Sequence, residues 1–220
     1  MTTIKSNTYS GSFVAGALLH DETTAMLPLL MDETGRDILV QQEIEKNEYL
    51  HIQTRSSRKR VMSEINKRFN NETIDFWEHY KTLNHQEQLF MLLYVVLDTY
   101  KLLFDFHVEV TMANLNEGKT SLSENYFRIF INQKILEHPE LSKWTDKTIS
   151  KSISVYLTML RQAGLLAVNS KKFKHITLTS DFYEYFIKTE EIWFLDACFL
   201  SRKTRDSIIK KFVMKRKKRL

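Results

Sequence analysis

The chain has 220 residues, of which 43% are hydrophobic, and it contains only five glycines and two prolines. This apolar content excludes a chain dominated by disorder, and so few turn-forming residues argue against an all-β protein. The single cysteine, Cys198, leaves no intrachain disulfide and no CxxC metal site, and it fits a reducing compartment. The first nine residues show no export signal, so we expect a cytoplasmic protein.

The net charge of +5 is unevenly distributed along the chain. Residues 202–220 hold ten lysines and arginines against one aspartate, whereas the preceding 201 residues hold 22 basic and 26 acidic residues. A basic tail of this kind is typical of a solubilising end or of generic polyanion binding. Because the rest of the chain is mildly acidic, any case for nucleic-acid binding there depends on local patches.

The first elements along the chain are predicted helices that build the core. Apolar residues at helical spacing predict a helix over residues 9–31, with Pro28 as a kink or break. Residues 33–47 predict a short amphipathic helix.

Residues 54–69 form the most informative basic segment. Thr54 is predicted to cap a helix whose apolar face contains Val61, Ile65 and Phe69. Arg55 follows the cap, and the opposite face carries only cations and hydroxyls: Ser56, Lys59, Arg60, Ser63 and Lys67. One packed face and one cationic face are what a DNA-reading helix needs. A solvated basic face is the alternative interpretation.

A short aromatic helix is predicted over residues 73–83, and a long helix follows from about residue 84 to Gly118. Its run of nine apolar residues, 89–97, predicts burial on almost every side. A membrane span needs about 20 mainly apolar residues, and here Asp98 and Lys101 interrupt the run. We therefore expect a buried central helix and no membrane partner.

Residues 121–179 predict a helix, a turn and a second helix that is capped by Thr145 and ended by Gly164. Two strand-like runs, 165–168 and 175–179, then flank a basic tip. This order is typical of a winged helix, so the predicted DNA contacts are two lysines of the second helix and three of the wing: Lys147, Lys151, Lys171, Lys172 and Lys174. Such modules also bind proteins, and the pattern leaves that alternative open.

The predicted fold class is mainly α. We expect a multi-helix bundle around a long buried central helix, with helix-turn-helix-like elements and one small winged-helix-like β-hairpin in the C-terminal half. The predicted division is an N-terminal helical subdomain at 1–83, the central scaffold at 84–118, the helix-turn-helix and hairpin subdomain at 119–201, and the basic tail at 202–220.

The sequence contains no motif of useful specificity for catalysis, such as a P-loop, GxGxxG, HExxH or GxSxG. The seven histidines are scattered, and His107 and Glu109 would point to different sides of a helix. We therefore expect no enzymatic activity, no cofactor and no metal site.

Five short motifs, in their order and spacing, resemble the BrxA family of BREX bacteriophage-defence systems. They are Tyr9-Ser10, GALL at 16–19 with Glu22, Thr54-Arg55, WTDKT at 144–148 and LRQAGLL at 160–166. The resemblance covers about residues 9–199 and leaves the basic tail outside. It implies a small, mostly helical, non-enzymatic protein, similar in some members to the NusB-type fold, that binds DNA alongside a methyltransferase and other BREX components.

Three hypotheses for function follow. The first is a DNA-binding accessory protein of a phage-defence system that contacts duplex DNA mainly through phosphates. The second is a helical adaptor that holds partner proteins of the same complex together. The third is RNA binding, which rests on the analogy to the NusB-type fold alone.

Overall fold

The structure, a computed structural model, describes residues 8–32 and 34–217. Two predictions concern residues outside these ranges. They are the lack of an export signal, which rests mostly on residues 1–7, and the end of the basic tail, residues 218–220.

The described residues are mainly helical, which confirms that part of the predicted fold class. A 3₁₀ turn at Ser12–Ala15, here called the N-terminal turn, precedes the first α-helix, and a second one covers Pro139–Lys143. The described α-helices are α1 His20–Leu30, α2 Arg36–Lys46, α3 Arg55–Phe69, α4 Ile74–Thr82, α5 His85–Thr99, α6 Lys101–Phe106, α7 Ala113–Asn116, α8 Glu124–Lys134, α9 Asp146–Gln162, α10 Ser180–Lys188, α11 Trp193–Ala197 and α12 Arg202–Lys217.

Helix α5 is the central element of the core. Every residue from Leu89 to Leu97 is buried, because α1, α3, α4 and α9 all pack against this helix. Burial on all sides explains why the run is uniformly apolar and lacks the polar stripe of a surface helix. Among the described residues no helix is both long enough and apolar enough to cross a membrane.

The predicted continuous helix over 84–118 is interrupted at Tyr100. This residue has φ −121° and ψ 96°, which ends α5 and starts α6. A π-helical segment at His107–Met112 then separates α6 from α7. The Tyr100 hydroxyl lies 2.7 and 2.6 Å from the two carboxylate oxygens of the buried Glu64. The break therefore coincides with a tertiary hydrogen bond, and no glycine or proline marks it in the sequence.

The predicted β-hairpin and winged helix are wrong, because residues 8–32 and 34–217 contain no β-strand. Only two isolated bridges occur, Leu166 with Phe173 and Ser121 with Lys172. The run at 175–179 forms no β-bridge with 165–168. At its end, the Thr179 hydroxyl donates to the Glu87 carboxylate at 2.5 Å, which fixes the start of α10 on α5. Pairing of one or two residues on each side is too short for a strand.

The N-terminal turn lies between α3 and α9. It packs against α3 on one side and against α9 on the other. Buried side chains from Tyr9 to Phe199 belong to one connected core. The division of the chain into subdomains remains a prediction.

Candidate nucleic-acid interface

Helix α3 forms as predicted, with Thr54 as its N-cap. The Thr54 hydroxyl oxygen accepts a hydrogen bond from the Ser57 amide at 3.2 Å, which satisfies one of the free amides of the first turn. The apolar face, including Val61 and Ile65, is buried against the core. The opposite face is exposed and is here called the α3 stripe: Ser56, Lys59, Arg60, Ser63 and Lys67.

Two of the cations in this segment are structural. Arg68 is 2% exposed, donates to Glu64 at 2.7 Å and donates to the carbonyl oxygen of Ala17 at 2.8 Å. Arg58 donates to the carbonyl oxygens of Ile44 and Ile52 at 2.8 and 2.7 Å. Both arginines lie at the same helical spacing as the apolar residues of α3. Their burial could therefore be predicted from periodicity, although not from the number of charges in the segment.

Two predicted DNA contacts are already engaged within the protein. Arg55 forms a bidentate pair with Glu45, and its hydrogen bonds hold the pKa of the Glu45 carboxyl below its usual value. Lys67 lies 4.1 Å from the centre of the Tyr100 ring and donates to the Ser12 hydroxyl at 3.3 Å. Its partial burial lowers the pKa of the Lys67 ammonium.

Lys59 and Arg60 are the free cations of the α3 stripe. Both are exposed, and neither forms an ion pair with any residue in the described part of the chain. Ser56 and Ser63 flank them at helical spacing and are also exposed. Exposed cations that no carboxylate pairs with, flanked by hydroxyls, are suited to binding phosphate oxygens.

The first turns of α9 carry a second group of cations. Thr145 caps this helix as predicted, since its hydroxyl oxygen accepts from the Thr148 amide at 3.2 Å. Lys147 and Lys151 are exposed and lack an ion-pair partner within residues 8–32 and 34–217. Arg128 of α8 reaches the same turns and donates to the Ser150 hydroxyl at 2.6 Å. The sequence pattern gave no reason to select Arg128.

The residues assigned to the wing lie in a turn between α9 and α10. Lys171 pairs with Glu124 at the start of α8 at 2.8 Å. Lys172 and Lys174 are exposed and, so far as the structure describes the chain, form no ion pair. The segment predicted as a wing is therefore a basic turn beside α8 and not a β-hairpin.

The N-terminal turn connects the two basic groups. Ser12 contacts Lys67 at the end of α3. The adjacent Gly11 packs against the ring of Trp144, so closely that a β-carbon there would lie 3.1 Å from the ring. Trp144 directly precedes the cap of α9. A chain of direct contacts thus runs from the α3 stripe to the first turn of α9.

A buried polar network lies away from these surfaces. His107 Nε2 is 3.1 Å from the carbonyl oxygen of Ala197 and must donate to it, so Nδ1 accepts from the Tyr156 hydroxyl at 2.8 Å. Thr111 donates to the same Tyr156 oxygen at 2.8 Å. Burial lowers the pKa of His107 to about 4, so the imidazole is neutral. The described residues contain no group of three or more side chains suited to holding a metal ion.

These features define a mainly helical protein with exposed cations on α3 and around the start of α9. The sequence profile of the BrxA family matches residues 7–190. The chain belongs to the BrxA family, which confirms the resemblance carried by the five motifs.

Two similar proteins place this assignment in context. The "BREX protein BrxA" of Bacillus cereus (strain H3081.97) is 23% identical over 168 residues, which are 74% of this chain and 81% of the relative. The crystal structure of an uncharacterized protein from Magnetospirillum magneticum has the same fold, with a TM-score of 0.75 and 18% identity over 86% of this chain and 97% of that one. Helices α11 and α12 lie beyond the residues that the family profile matches.

Proposed function

We propose that this protein is a non-enzymatic, DNA-binding accessory component of a BREX-type phage-defence system that acts in the cytoplasm. Family membership and the description of the Bacillus cereus relative support the place in BREX. The proposed partners are duplex DNA and other BREX proteins, including the methyltransferase of the system.

The observation that carries the DNA proposal is the α3 stripe. Lys59 and Arg60 are exposed and free of ion pairs within the described residues, and Ser56 and Ser63 flank them. Lys147 and Lys151 form a second group of exposed cations on α9, which packs against the other side of the N-terminal turn. Contacts of this composition bind phosphates and give affinity without base specificity.

The test is a titration of duplex DNA at several salt concentrations. If about five phosphates are contacted, log K falls with log salt at a slope near −4.5. The double variant Lys59→Gln, Arg60→Gln should bind more weakly, with a slope less negative by about 1.8. Lys67 is left unchanged because its substitution would also disturb the packing on Tyr100.

The matched control is the double variant Lys81→Gln, Lys119→Gln. Both lysines are exposed and pair with nearby carboxylates, Glu78 and Glu117 respectively, at 2.8 Å. Its DNA affinity should equal that of the wild type. An α3 variant with wild-type affinity and slope would refute the assignment of the α3 stripe. Competition of the same duplex with double-stranded RNA decides the third hypothesis, RNA binding.

A protein adaptor is the second candidate function, and exposed apolar side chains on α8 and just after it favour it. Ile129 is 44% exposed and Leu136, just after the helix, is 92% exposed. An adaptor that uses this surface would lose co-purification with co-expressed BREX proteins on Ile129→Ser and Leu136→Ser. The same variant would retain DNA affinity if both functions are present.

A further inference from the structure

The basic tail is a docked helix and not a free end. Arg205 of α12 donates to both carboxylate oxygens of Asp196 at 3.0 and 2.8 Å. Near the other end, Lys215 contacts the Glu184 carboxylate at 3.0 Å. Ile208 and Ile209 pack against the core between these two ion pairs. Helix α12 therefore packs along α10 and α11, and its opposite side is exposed.

The outer side of α12 is strongly cationic. Lys203, Lys210 and Lys217 repeat every seven residues, so they lie nearly in line along one side of the helix, with about 10.5 Å between neighbours. The only acid in the helix, Asp206, is paired with Arg205 at 3.0 Å. Six cations of α12 are exposed and form no ion pair with other described residues: Arg202, Lys203, Lys210, Lys211, Arg216 and Lys217.

We infer that the outer side of α12 is a second binding surface for nucleic-acid phosphates. A row of unpaired lysines on a fixed helix presents charge at defined positions, which suits a regular polyanion. The outer side carries no aromatic residue on which a base could stack, so the contact is to the backbone and is independent of sequence.

A lipid surface fits this helix less well. The larger apolar residues of α12, Ile208, Ile209 and Phe212, are turned toward the protein and are partly covered. Only Val213 and Met214 are exposed, at 44% and 52%. A helix that lies in a membrane needs a continuous apolar face that enters the acyl region, and the exposed side of α12 does not provide one.

The surface on α12 is distinct from the α3 stripe. Helix α12 packs against α10 and α11, whereas α3 packs against α1, α2, α5 and the N-terminal turn. The family profile ends at residue 190, before α12 begins. A second phosphate-binding surface would thus add to the proposed DNA site, and each surface can be tested without the other.

The experiment compares the full-length wild type with the double variant Lys203→Gln, Lys210→Gln. A random-sequence duplex is titrated at several salt concentrations, and urea denaturation checks that both proteins are equally folded. Loss of two phosphate contacts should make the slope of log K against log salt less negative by about 1.8. The control Lys81→Gln, Lys119→Gln removes the same charge and should leave the slope unchanged.

The α3 double variant, measured in the same assay, separates the two proposals. An α12 variant with the wild-type slope, beside a weakened α3 variant, would overturn the α12 inference alone. A weakened α12 variant beside an unchanged α3 variant would support it and refute the α3 stripe. If the wild type has no affinity for DNA, both proposals fail. If the α12 variant loses binding only to phosphatidylserine vesicles, the surface is a lipid contact and the inference is wrong.

Discussion

Arg68 carries its charge inside the protein, although it lies in the segment with the clearest basic character. Its guanidinium joins Glu64 of α3 to the carbonyl oxygens of residues 16–18. A buried cation needs such a complete set of partners, because an unpaired one would cost several kcal/mol of desolvation. Arg68 therefore holds the segment after the N-terminal turn against α3, whereas Lys59 and Arg60 of the same helix are exposed.

His107 should make the stability of the protein depend on pH. Its pKa is lowered by burial to about 4 in the folded chain, against about 6.5 in an unfolded one. The unfolded state therefore binds more protons over this range, and stability is lost as the pH falls from about 6.5 toward 4. Between pH 7 and pH 5 the free energy of unfolding should fall by about 2 kcal/mol through this residue.

Urea denaturation at the two pH values measures this effect. The variant His107→Gln should be less stable at pH 7, because one amide cannot reproduce both hydrogen bonds of the imidazole. Its free energy of unfolding should also decrease less between pH 7 and pH 5 than that of the wild type. His51→Asn at an exposed position is the control and should keep the wild-type dependence. Equal pH dependence in wild type and His107→Gln would show that the buried imidazole does not control acid stability.

At the level of elements, α9 ends where the chain must take a left-handed turn. Gly164 has φ +79°, and a β-carbon there would lie 2.3 Å from Cδ1 of Ile176. Gly118 has the same φ with open space around it. A substitution at Gly118 therefore adds backbone strain alone, whereas a substitution at Gly164 adds backbone strain and a steric clash.

Gly118→Ala should lower the free energy of unfolding by about 1 kcal/mol, through the left-handed backbone alone. Gly164→Ala should lower it by about 2 kcal/mol or more, because the tip of Ile176 must also move. Chemical denaturation of both variants measures the difference. An equal decrease in the free energy of unfolding of the two variants would mean that Ile176 moves aside without cost. Glycine would then be needed at position 164 only for its left-handed backbone conformation.

For the whole molecule, α5 is the element on which folding depends. Leu93 is fully buried, and an aspartate there would place an unpaired carboxylate in the core. Since a domain is stable by only about 5–15 kcal/mol, Leu93→Asp should abolish folding before it specifically affects binding. Circular dichroism during thermal unfolding should show no cooperative transition. The matched control is Leu136→Asp, at a position that is 92% exposed, and it should unfold like the wild type.

Periodicity within single helices was enough to predict much of this protein. The α3 segment, its Thr54 cap, the Thr145 cap of α9 and the burial of residues 89–97 follow from local spacing and cap chemistry, and the structure confirms them. These features depend on residues three or four positions apart, which a sequence displays directly. The predicted DNA contacts Lys59, Arg60, Lys147 and Lys151 are exposed as expected, and their role in binding remains a prediction.

The sequence by itself determined the helical class, the family and the helix with the free cations. Contacts between residues distant in the chain decided the rest: the break at Tyr100, the absence of strands around Phe173 and the docking of α12. In each case the local sequence pattern is compatible with more than one conformation. The conformation that forms is stabilised by contacts such as Glu64 with Tyr100 and Asp196 with Arg205. These residues are brought together only when the chain is folded.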